Sequence, residues 1–118
     1  MADAAIFIGW GQAVRGREMK ALGVFNEALA YYGRLQQEGA IESFEPVLLT
    51  PHGGDLAGFL LVRGERGKLE ALKVTDEFAR INARANMIVE SLGVIDASIG
   101  ASLAAAMGTF AAQVADLA

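Results

Sequence analysis

The sequence predicts an α+β domain in which strands and helices follow the order βαββαβ, with one more helix appended at the end. Three observations predict it. Short β-branched and aromatic runs alternate with longer stretches whose apolar residues fall at helical spacing. Two of the strand-like runs are joined by a loop carrying proline and paired glycine, which makes them a hairpin. The closing stretch, 97–115, carries no charge and is dominated by alanine and apolar residues. Right-handed crossovers then place the two main helical segments on one face of a four-stranded antiparallel sheet.

The first strand is Ala5-Ile6-Phe7-Ile8-Gly9-Trp10. Gly9, Gly11 and Gly16 surround the loop that follows it. A helix of about six turns is expected over 17–38, with Leu22, Phe25, Leu29, Tyr32 and Leu35 on its apolar face and Val24, Ala28 and Tyr31 widening it. Gly39 supplies the stop, because glycine adopts positive φ at least cost. The hairpin strands are expected over 41–50 and 56–63, around Pro51-His52-Gly53-Gly54-Asp55. Pro46 cannot donate a ladder hydrogen bond, so its strand belongs at an edge or carries a bulge.

A further helical segment begins at 65, but the phase set by Leu69 and Leu72 is broken before Phe78, Ile81, Ala85 and Ile88. Thr75-Asp76-Glu77 at the break is an N-cap followed by an acidic first turn. The expectation is therefore a short helix, a kink and a second helix to about residue 91. Gly93 opens a fourth strand through 94–99, and a final helix runs from about 102.

Composition limits the function classes. The chain has 118 residues, and apolar residues plus glycine make up about 65% of it, well above the usual 45–50%. That is one domain, 1–118, with a core over about 4–100 and the last helix over about 101–117. Ten basic against 14 acidic residues give a net charge of −4, which disfavours nucleic acid as a partner. Cysteine is absent, so disulfides, thiolate nucleophiles and Cys-ligated zinc are excluded. One histidine and scattered carboxylates give no metal-ligand spacing, and no cofactor is expected. The four serines form no G-x-S-x-G elbow. The start of the chain lacks the charged and apolar regions of a secretory signal, so a cytoplasmic location is expected. The uncharged stretch near the end approaches a membrane span in length, but its serines, glycines, threonine and glutamine and its lack of flanking cations argue against one.

The element order, the hairpin and the phase break before Asp76-Glu77-Phe78 together resemble the dimeric α+β barrel superfamily of ferredoxin-like proteins. EthD-like, YCII-related and stress-responsive barrel proteins and the antibiotic-biosynthesis monooxygenases belong to it. The resemblance covers roughly 4–100, and the stretches from Gly9-Trp10-Gly11 through Glu18 and from Val24 to Leu29 resemble an uncharacterised bacterial branch. It implies a homodimer with two sheets packed face to face, and a pocket between each sheet and its own helices. The functions it implies range from cofactor-free oxygenation and isomerisation to haem degradation.

Several residues are candidates for chemistry. His52 titrates near neutrality and lies three positions before Asp55, so the pair could act as a general base with its orienting carboxylate, or both could be turn residues. Arg15, Arg17 and Lys20 gather at the start of the first helix, where the macrodipole favours anions. An anionic ligand or local pairing with Glu18 would relieve that conflict. Trp10, Phe25, Tyr31, Tyr32, Phe44 and Phe59 could line an aromatic pocket or simply fill the core. Asn82, Arg84 and Asn86 are expected to face solvent, with reach into a pocket as the other reading. Gly9, Gly11 and Gly16 lack the spacing of a dinucleotide fingerprint.

The final helix carries an apolar seam. Leu103, Met107, Phe110, Val114 and Leu117 follow at steps of 4, 3, 4 and 3, the spacing of helices packed side by side. It is expected to pack across a subunit boundary, with burial in its own subunit as the alternative. Functionally, the sequence is that of a homodimer binding a small hydrophobic or weakly anionic molecule. The alternatives are a cofactor-independent enzyme using His52 and a partner-docking module using the edge at Pro46 or the final helix.

Overall fold

The computed structural model describes residues 2–118. Its elements are β1 (Ala4–Trp10), α1 (Glu18–Glu38), β2 (Ser43–Leu48), β3 (Gly58–Gly64), α2 (Arg66–Lys73), α3 (Asp76–Asn86), β4 (Gly93–Ala97) and α4 (Gly100–Leu117). The strands form one sheet in the order β2-β3-β1-β4, with every neighbouring pair antiparallel. Pro46 thus sits in an edge strand, where its missing N–H disturbs little.

Register assigns each side chain to a face. Ile6 pairs with Val62 and Ile8 with Leu60, and all four are buried under the helices. Phe7 pairs with Leu61 and with Ile95 on the opposite face, which no helix covers. The core joins Ile6, Ile8, Leu60 and Val62 to Tyr31, Tyr32 and Leu35 of α1, Leu69 and Leu72 of α2, and Phe78 and Ile81 of α3.

Local signals set the helix boundaries. Gly39 takes φ 80°, and its N–H reaches back to the carbonyl of Gln36. The Thr75 hydroxyl accepts from the Phe78 N–H at 3.3 Å and donates to the Leu72 carbonyl at 2.8 Å, so one side chain closes α2 and opens α3.

Three expectations change. The second half of the helical segment stops at Asn86, short of 91. Beyond it the backbone turns to pair with the loop after β1: Val14 N–H donates to Ile88, Gly11 N–H to Glu90, and Glu90 N–H to Gln12. These bonds are unavailable to a continuing helix, so they end it. Leu22, expected on the buried face of α1, is 54% exposed, and the buried stripe runs instead through Val24, Tyr31, Tyr32 and Leu35. β4 ends at Ala97, and α4 starts at Gly100, two residues earlier than expected.

No residue of α4 is buried, which excludes burial inside its own subunit. Its first turn rests against the start of β1, where Gly100 lies too close to the Ala2 carbonyl for an unstrained side chain. The rest stands away from the body. The radius of gyration is 16.2 Å, against about 13.5 Å for a compact domain of this length.

Candidate functional site

Between the helix-covered face of the sheet and helices α1 and α3 lies a cavity of about 400 Å³. Its position follows from side-chain size. Ala21 and Ala28 of α1, Ala85 of α3 and Ala57 before β3 all face this space, and small side chains there leave the layers unfilled. Ile8, Leu60, Ile81 and Ile88 supply apolar walls, and Trp10 meets Phe25 edge-on at 5.8 Å between ring centres. Leu22 and Leu48 line the cavity while remaining 54% and 72% exposed, so they mark its rim.

The lining holds no acidic, basic or histidine side chain; its polar members are Gln12, Asn82, Tyr32 and the indole of Trp10. Tyr32 is 1% exposed, and its hydroxyl has no hydrogen-bond partner among the described residues. Burial pushes its pKa well above the ordinary tyrosine value, because the phenolate would be left without water. Such a site can exclude water and hold an apolar molecule. It offers no acid or base active near neutral pH.

Of the candidate residues singled out from sequence, the fold brings Trp10, Phe25, Tyr32 and Asn82 to this cavity. Phe59 stacks on Phe7 at 5.0 Å on the uncovered face, because its position in β3 alternates with that of Leu60. Arg17 donates from Nη1 to the Met87 carbonyl at 3.2 Å, at the C-terminal end of α3. There a cation meets the negative end of a helix, which for Arg17 offsets the unfavourable dipole at the start of α1. Arg17 and Lys20 border a second, shallower hollow with Glu27 and Arg84, and Glu27 already takes Arg80 at 3.3 Å and Arg84 at 3.1 Å. Arg15 is exposed and borders neither space.

His52 and Asp55 have the geometry of turn residues. His52 Nδ1 lies 3.1 Å from the Thr50 carbonyl, no hydrogen bond links it to Asp55, and both residues are exposed in the hairpin loop away from the cavity. Positive φ at Gly53 turns the loop so that the ring folds back on its own chain. Asn82 is half-buried and lines the cavity, whereas Arg84 is tied to Glu27 and Asn86 is exposed. Among the lining residues that were not site candidates, Ala13, Ala21, Ala28, Ala57 and Ala85 carry one signal in the sequence: alanine at inward positions where a larger apolar residue would fill a core.

No family model and no curated protein matches this chain. Among solved structures, it is similar to a protein from Bacteroides fragilis described as dimeric, of unknown function and of ferredoxin-like fold. The match has 14% sequence identity and a TM-score of 0.59, and covers 81% of this chain and 96% of that one. The fold is ferredoxin-like. This chain has the strand order β2-β3-β1-β4, and at this identity the likeness speaks for the fold alone. No helix among the described residues is long and apolar enough to cross a membrane.

Proposed function

We propose that this chain is a homodimeric binding protein that holds an uncharged, largely apolar small molecule in the cavity between its sheet and its helices. The observation that carries the reading is the cavity itself: about 400 Å³, inside the usual range for ligand sites, with no charged group in its lining. An anionic ligand would lose its hydration there without meeting a cation, so the neutral class is favoured over the weakly anionic one. Gln12, Asn82 and the Trp10 indole supply hydrogen bonds for one polar edge of the ligand.

The dimer rests on two surfaces and one relative. Phe7, Phe59 and Leu61 form an apolar patch on the face without helices, with Ile95 beside them 55% exposed. The α4 seam is exposed as well. The Bacteroides fragilis protein of the same fold is described as dimeric. This assembly is that of the dimeric α+β barrel proteins, and the whole chain, 1–118, is read as one domain of it acting in the cytoplasm.

Trp10 is the single tryptophan and lines the cavity, so its emission reports occupancy. The test uses two probes sharing one aromatic frame, neutral N-phenyl-1-naphthylamine and its anionic 8-sulfonate. Saturable quenching of Trp10 by the neutral probe, weaker binding of the sulfonate, and loss of both in Ala85→Leu are expected. Equal binding of the two probes, or binding unchanged in Ala85→Leu, would place the ligand elsewhere.

A further inference from the structure

The final helix is the largest apolar element that the rest of the chain leaves uncovered, and its own sequence limits what can cover it. Leu103, Met107, Phe110, Val114 and Leu117 are between 48% and 83% exposed along one line of α4. Their 4-3-4-3 spacing suits another helix, whose side chains would interlock with them, better than a sheet, whose period is two. The positions flanking the seam are Ala104, Ala106, Ala111 and Gln113, so no charge repels an approaching helix and the alanines allow close approach.

Orientation is set by charge. Asp116 is the one charged residue of α4, and it lies at the C-terminal end, where its own helix dipole repels it. A parallel copy would add a second Asp116 and align the two dipoles. An antiparallel copy instead brings Asp116 alongside the N-terminal turns of the other helix, where the dipole attracts it.

From these observations we infer that α4 pairs antiparallel with α4 of a second copy, about a two-fold axis midway between Met107 and Phe110. Reversed, the 4-3-4-3 steps bring seam against seam only when Met107 meets Phe110 of the second copy and Leu103 meets Val114, each pair exchanged as an isologous contact requires. Two helices of 18 residues, each about 27 Å long, bury on the order of 1,000 Å² in this way, the lower limit of a specific interface. The inference rests on the homodimer reading above and goes beyond it by naming the register.

The chain has no cysteine, so a single introduced thiol is an unambiguous probe. Phe110→Cys should cross-link efficiently between copies with a short thiol-to-thiol reagent. Leu103→Cys alone should not, because its counterpart lies eleven residues along the second helix, which separates the two thiols by about 16 Å. Co-refolding Leu103→Cys with Val114→Cys should restore cross-linking while keeping Phe110 in place, which covers the case in which Phe110→Cys loses its own anchor. Sedimentation of the wild-type chain separates the two readings. A dimer in which both the Phe110→Cys and the mixed cross-links fail, or in which Leu103→Cys links as well alone, overturns the pairing and leaves the dimer standing. A monomer overturns both.

Discussion

Replacing Tyr32 with phenylalanine should stabilise the protein, although Tyr32 is among its most buried residues. The ring packs against Tyr31 at 4.9 Å and Phe44 at 6.0 Å, contacts that Tyr32→Phe keeps. The hydroxyl has no partner among the described residues, and a buried polar group left unsatisfied costs about 1–3 kcal/mol. Removing it recovers that cost, less a small loss of contact where the oxygen sat, for a net gain of about 1 kcal/mol. With an unfolding entropy near 2.1 cal/mol/K per residue, that gain raises Tm by about 4 °C. The pH dependence gives a second readout. Burial raises the folded-state pKa of Tyr32 above its ordinary 10.0, so the unfolded chain ionises first. The associated stability is complete below pH 10 and falls as pH rises beyond it, by up to about 1.4 kcal/mol per pH unit. The variant lacks this contribution, and its advantage over the wild type widens above pH 10. Urea melts at pH 8 and pH 11, at matched protein concentration, measure both effects. A variant less stable by about 1 kcal/mol, or with an unchanged alkaline slope, would mean that the hydroxyl is hydrogen-bonded in solution and the reasoning is wrong.

Thr75→Ala removes the cap shared by α2 and α3 and should cost about 1 kcal/mol in a urea melt, with Thr75→Ser close to wild type. Gly58→Ala places a carbon 2.7 Å from the Val47 carbonyl and 2.9 Å from the Trp10 ring. A ladder carbonyl cannot swing aside, so a loss of about 1–3 kcal/mol is expected together with a shifted Trp10 emission. Glu77 is held below its ordinary 4.5 chiefly by its hydrogen bond from Arg34, so its contribution is present above that pH and is lost as pH falls through the lowered value. Glu77→Gln should therefore flatten the dependence of the urea midpoint on pH below 4.5 and leave it unchanged in shape near pH 7.

Features that depend on neighbours in sequence were legible in the chain itself. The phase break at Thr75, the stop at Gly39 and the edge position of Pro46 each follow from one residue's backbone chemistry, and all three are present in the structure. The topology was legible for the same reason, since a hairpin and two right-handed crossovers leave few arrangements. The end of α3 was not. Residues 87–90 keep apolar spacing compatible with helix, yet their backbone groups find better partners in the loop after β1, some 75 positions earlier in the chain.

The candidate site divides along the same line. Sequence marked Trp10, Phe25 and Tyr32 as aromatics able to meet, and the layered fold gathers them around one cavity. It could not separate them from Phe59, because one step along a strand reverses the face and only the register with β1 says which face is covered. It also could not show that the layers leave a cavity, since that space is set by what alanines from separate parts of the chain fail to fill. By itself the sequence determined the element order, the caps and the apolar seam of the last helix, all of which are local or periodic. The tertiary structure alone decided that His52 and Asp55 stay apart, that Arg17 is met by the end of α3, and that α4 stands clear of its own subunit. The last two depend on distances between residues far apart in the chain and the first on the path of one loop, none of which periodicity encodes.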